Sequence, residues 1–170
     1  MAKAKTSPFY VTDTVTLAAA GTYTQSTIPF SSYIDVAAKQ AVAILEVDYV
    51  TVAADTNRTY LGTDCIVDYQ LTDINRGEMA SPDDTALISR GALANDDTAP
   101  AMTNENAIYP DSFGSLEQAR MVVNDDVFFG AMSTGVPAAG LTCAVRIKCQ
   151  VVSLSQQDFM ALALTSVASA

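Results

Sequence analysis

"LTCAVRIKCQVVSL", Leu141 to Leu154, is the stretch on which the fold turns. Apolar and polar residues alternate along it. Leu141, Cys143, Val145, Ile147, Cys149 and Val151 point one way, and Thr142, Ala144, Arg146, Lys148 and Gln150 the other. This is the pattern of a long, half-buried β-strand. Its two cysteines raise the question of thiol chemistry. At strand rise they lie roughly 20 Å apart, whereas a disulfide needs Cα atoms about 4.4–6.8 Å apart. They can neither bridge each other nor share a metal ion. Cys65 shares a strand face with Val67, Tyr69 and Leu71, so all three cysteines are expected to be small buried hydrophobes.

Working outward, strand signals dominate. "FYVTDTVTL" (Phe9 to Leu17) is rich in Thr, Val and aromatics, and "GTYTQSTIPF" (Gly21 to Phe30) stops at Pro29. "AVAILEVDYVTV" (Ala41 to Val52) and "CIVDYQL" (Cys65 to Leu71) are further strands, with weaker candidates in "TALISRGAL" and "NAIY". "ARMVV" and "VFFGAM" flank Asn124-Asp125-Asp126, which predicts a hairpin. No βαβ rhythm or internal repeat is present. About eight short strands between Gly, Pro and Asp turns predict an all-β antiparallel sandwich or barrel. One helix closes the chain: in "SQQDFMALALTS", Ser155 stands three residues before Asp158, as in a capping box. Phe159, Met160, Leu162, Leu164 and Val167 cover more than one face, so this helix must plug the sandwich or dock on a neighbouring subunit.

The 170 residues fit one domain over 1–170, with an N-terminal arm over 1–8 and a C-terminal helical segment over 155–170. Only 16% of residues are charged, which suggests surface hidden against partners. The net charge of −10 excludes wrapping nucleic acid on a basic face; the small tip of Lys3 and Lys5 is the candidate for a weak contact with nucleic acid or an acidic lipid surface. Three cysteines, an odd number, argue for free thiols in a reducing cytoplasm. Pro8, Asp13 and the threonines interrupt what would otherwise imitate a secretion signal, and Asn57-Arg58-Thr59 reads as an unmodified turn.

The chain has no His, which removes imidazole ligands and the usual general base. It carries no phosphate-binding glycine loop, no nucleophile elbow and no C-x-x-C. No enzymatic activity and no cofactor are expected. Glu46 and Asp48 stand about 6.6 Å apart on one strand face. Arg146 and Lys148 repeat that spacing with opposite sign, so the four are expected as a cross-strand charge ladder. Asp83-Asp84, Asp96-Asp97 and Asp125-Asp126 are loop pairs that could take Ca²⁺ at a subunit contact, although Asp is favoured in turns for local hydrogen bonding.

The short acidic all-β chain, the extended "MAKAKTSPFY" and the stretch "IYPDSFGSLEQARMVVNDDVFFGAM" (Ile108 to Met132) resemble the small single-jelly-roll major capsid proteins of tailless icosahedral viruses of bacteria and archaea. The last stretch is also similar to segments of marine viral structural proteins. The resemblance implies a jelly roll of eight strands in two sheets, and a virion subunit made in the host cytoplasm. Such a subunit assembles with many copies of itself, and a second capsid protein or an underlying membrane is compatible with it. It implies no catalytic residue, and it does not require the C-terminal helix. Phe9 and Tyr10 in the arm, with Phe159, Met160 and Leu162 in the helix, are the expected subunit contacts. The alternative is a non-enzymatic β-sandwich binding module, a carbohydrate-binding or virion spike domain, using exposed tyrosines among Tyr60, Tyr69 and Tyr109.

Overall fold

The computed structural model describes residues 2–58, 64–96, 101–105 and 115–168. Among them run ten strands: β1 (Lys3–Ala4), β2 (Phe9–Leu17), β3 (Thr24–Pro29), β4 (Gln40–Ala53), β5 (Cys65–Thr72), β6 (Leu87–Asp96), β7 (Ala101–Glu105), β8 (Arg120–Val122), β9 (Asp126–Ser133) and β10 (Leu141–Ser153). The helix α1 (Gln156–Ala168) follows β10 directly. The candidate strand "NAIY" lies outside the described residues, as do Tyr60, Tyr109, Asp97 and Thr59.

The strands pair first with last: β2 with β10, β3 with β9, β4 with β8, and β5 with β6, all antiparallel. A long two-stranded ribbon folded back at the β5–β6 connection gives this pattern. The ribbon is wound into two sheets, ordered β2-β10-β4-β8 and β3-β9-β5-β6, with β7 added outside β6. This strand order is a jelly roll, a two-sheet sandwich of antiparallel strands.

Leu141–Ser153 sits where its length places it. β10 is an inner strand of its sheet, bonded to β2 on one side and β4 on the other. Its residues alternate as predicted, with Cys143, Val145, Ile147 and Cys149 fully buried between the sheets. They meet Val67, Tyr69, Leu71, Phe129 and Ile44 in one continuous core. A bulge at Leu45 breaks the register where Lys148 pairs with Glu46 but Cys149 with Ile44. The extra residue flips the parity of β4. Val42 and Ile44 face inward before it, Val47 after it, and Glu46 and Asp48 are turned outward.

The expected hairpin around Asn124-Asp125-Asp126 does not form. β8 pairs with β4 in one sheet, whereas β9 pairs with β3 and β5 in the other, so the connection crosses between sheets. Its polar groups are bound elsewhere: Asn124 Nδ2 donates to the Asp73 carbonyl at 2.6 Å, and the Asp125 carbonyl accepts from Phe30 N at 2.6 Å. A short polar turn between two apolar runs looks the same in sequence whether it stays in one sheet or changes sheets.

Candidate assembly surface

The junction of β10 and α1 is built by local capping. Leu154 N donates to the Lys39 carbonyl at 2.9 Å, which ends the strand. Ser155 is the N-cap, its hydroxyl oxygen accepting from Asp158 N at 3.2 Å. The Ser155 hydroxyl also bonds the Asp158 carboxylate and, with the Ser155 backbone, holds it below its ordinary range. The box expected from the sequence therefore forms in both directions.

The helix starts outside the sandwich, since among the described residues the core between the sheets contains no α1 side chain. It starts beside a second, smaller cluster on the outer face of the β10 sheet. There Ala41, Ala43 and Val152 are fully buried beneath Ala2, Leu116, Met121 and Leu154. Small residues on the strands let the covering segment approach closely. Between that segment and α1 runs a groove of about 730 Å³, lined by Ala2, Leu116, Met121, Leu154, Ala161 and Leu162, with Glu117 and Asp158 also on its wall.

The predicted contact residues separate into two groups. Phe159 is buried, Leu162 lines the groove, and Met160 is 54% exposed. Leu164, two residues beyond Leu162, is 66% exposed. Phe9 opens β2 and packs within its own chain, its ring 5.0 Å from that of Tyr33. Tyr10 points outward from the same strand and lies under the Arg146 guanidinium, 5.1 Å away. Residues 3–6 of the arm run along β10: β1 pairs with Val152 and Ser153, and Thr6 accepts from Val151 N at 3.1 Å. Lys5 Nζ donates to Gln40 Oε1 at 3.0 Å, and Lys3 is exposed at the same end.

The charge ladder forms as its spacing predicts, with Arg146 on Asp48 at 3.2 Å and Lys148 on Glu46 at 3.3 Å. It lies on the bare outer half of the β10 sheet. Solvent screens such pairs, so a double-mutant cycle of Arg146→Ala and Asp48→Ala should give a coupling below about 1 kcal/mol in urea denaturation. A coupling above that would mean that this face is covered.

The cysteines are unsuited to chemistry. All three are free and buried. Burial pushes the Cys143 thiol up to about 11 and Cys149 to about 12, and raises Cys65 as well. Among the described residues, no three His, Cys, Asp or Glu side chains are grouped to hold a metal ion. The Asp84 carboxylate is held low by Arg76 at 2.7 Å, and Asp83 accepts from Ser81 Oγ at 2.5 Å. Tyr69, a candidate for an exposed platform, is instead a core residue stacked on Tyr49 at 5.1 Å.

Sequence reasoning missed Leu116 and Met121, which make one wall of the groove. They lie in and beside a three-residue strand too short to show a period.

No family model matches the chain, and no curated protein does. Among solved structures, the chain is similar to VP1 of Trichodysplasia spinulosa-associated polyomavirus, solved in complex with sialylated precision glycooligomers. That match has 8% identity and a TM-score of 0.44, over 87% of this chain and 96% of that one. The chain is also similar to one from Desmodium yellow mottle tymovirus, at 6% identity and a TM-score of 0.35, over 91% and 93%.

Proposed function

We propose that this chain is a structural virion protein, a subunit that assembles in many copies into an icosahedral shell and catalyses nothing. One observation carries the reading. A properly capped helix stands outside the sandwich, with Met160 and Leu164 in solvent beside an apolar groove. An isolated monomer gains nothing from exposing such a helix, whereas a repeated contact between copies would bury it. The jelly-roll strand order suits a wall-building unit, because its loops and sheet faces can be tiled without altering the core. The resemblance read from the sequence points to tailless viruses of bacteria or archaea as the source.

The copies repel each other through a net charge of −10. Salt screens that repulsion, and divalent cations at the loop Asp pairs would bridge it. Assembly should therefore strengthen from low to moderate salt and with Ca²⁺. Negative-stain imaging and light scattering over a salt series provide the test. Shells or large regular oligomers that grow with salt are expected. In the Met160→Asp/Leu164→Asp double variant, the concentration needed for assembly should rise at least about tenfold, with the melting temperature unchanged. A monomer at every salt concentration, or oligomers that weaken steadily as salt rises, would sink the reading.

A further inference from the structure

The sheet edges differ in how they are guarded. A free edge strand offers unpaired N–H and C=O groups to any other strand, and proteins blunt it by shortness, proline, lysine, a bulge or an inward-pointing charge. Here β8 has three residues and β7 has five. β3 has six and closes on Pro29, and β1 has two, one of them Lys3. β2 is different. It has nine residues with neither Lys nor Pro, and its register against β10 runs unbroken from Phe9 to Leu17. Among the described residues it pairs with β10 alone, and its outward row of Tyr10, Thr12, Thr14 and Thr16 is exposed.

One guard remains on β2. Asp13 is its middle residue and faces inward, between Val11 and Val15 and opposite Val145. Its Oδ2 is buried and has no hydrogen-bond partner. The half-buried side chain does nothing for the core, since a buried polar oxygen left without a partner costs stability. We propose that Asp13 keeps the β2 edge from pairing with the β2 edge of a second copy. Antiparallel pairing of two such edges would continue the sheet across a two-fold axis. Pairing centred on Asp13 would set one inward carboxylate against the other, where little water reaches them. Like charges so placed oppose association strongly. The inference does not rest on the shell reading, and low salt, where shell assembly is weakest, keeps the two apart.

The experiment compares wild type with Asp13→Val and Asp13→Asn by light scattering and amide hydrogen exchange at low salt. Both variants should fold and should associate at concentrations at least about tenfold below any at which the wild type does. Exchange of the β2 amides should slow on association, and adding Thr14→Lys to Asp13→Val should restore the monomer. Should Asp13→Val fail to fold, Asp13→Asn decides alone. Folded variants that scatter like the wild type, or that associate with β2 amides unprotected, would overturn the proposal.

Discussion

In the folded protein at pH 8, Cys143 and Cys149 should react with a water-soluble disulfide reagent at least about a hundredfold more slowly than in the urea-unfolded chain, and Cys65 should also be slowed. The thiolate is the reacting species. Burial pushes Cys143 to about 11 and Cys149 to about 12, so at pH 8 only about one molecule in a thousand or fewer carries either thiolate. Both side chains are also fully buried, which adds a barrier to the reagent. Cys65 is raised in the same direction and should be the fastest of the three. Labelling of one cysteine at the unfolded rate would show that the strand carrying it opens locally, and would restore a chemical role to that thiol.

The same shifts make stability depend on pH in a definite direction. A thiol raised in the fold keeps its proton where the unfolded chain has already lost it. Its contribution is fully present below the unfolded value, about 8.5, and is lost as pH rises toward the folded values of about 11 and 12. Tyr49 and Tyr69, both raised mainly by burial, add to the loss above their ordinary value. Between pH 9 and 11, unfolding free energy should fall by roughly 1 kcal/mol per pH unit for each of Cys143 and Cys149. Cys149→Ala should start lower, because it leaves a cavity, but decline less steeply. Urea titrations at four or five pH values measure both slopes, and parallel slopes for wild type and variant would contradict the assignment.

What could be read from sequence was whatever one element states by itself. Phe9–Leu17 is β2 to the residue, Pro29 ends β3, and Ser155 caps α1. The alternation of β10 carried the burial of its cysteines and the outward charge ladder. What escaped depends on one element covering another. Ala41 and Ala43 look like solvent-face residues by their parity on β4, yet the segment around Leu116 and Met121 buries them. Gln70 is polar and on the outer face of β5, yet fully buried, because Ala80 N donates to its Oε1 at 2.7 Å and the Glu78 carbonyl accepts from its Nε2 at 2.7 Å. The candidate surface divided the same way. The apolar helix was legible because Phe159, Met160, Leu162, Leu164 and Val167 cover more than one of its faces, whereas the groove beside it is a product of three separate segments.

Gly130→Ala should destabilise the protein by about 2–4 kcal/mol, against the ordinary expectation for such a change. In a strand with unstrained backbone, alanine for glycine normally stabilises by about 0.4–1 kcal/mol through the unfolded chain. Gly130 has no positive φ to object to a side chain. Space is the obstacle. Gly130 lies on β9 between Gln25 of β3 and Gln70 of β5, and the ring of Tyr23 lies across it. A Cβ at Gly130 would come within 2.6 Å of Tyr23 Cε2 and nearer still to Cζ and the hydroxyl. The ring cannot slide away freely. Its hydroxyl donates to Gln25 Oε1 at 2.9 Å and accepts from Gln70 Nε2 at 2.8 Å. Relieving the clash breaks both bonds and uncovers Gln70, which pins Glu78 and Ala80 to the sheet. For a chain of this length the loss corresponds to a melting temperature lower by about 5–15 °C. Tyr23→Ala removes the obstacle, so Gly130→Ala should cost little when added to it. The coupling between the two positions, read from a thermal or urea double-mutant cycle, should account for most of the single-variant loss. If Gly130→Ala alone proves neutral or stabilising, Tyr23 does not hold that place on the sheet, and Gln70 keeps the 73–86 connection in position without it.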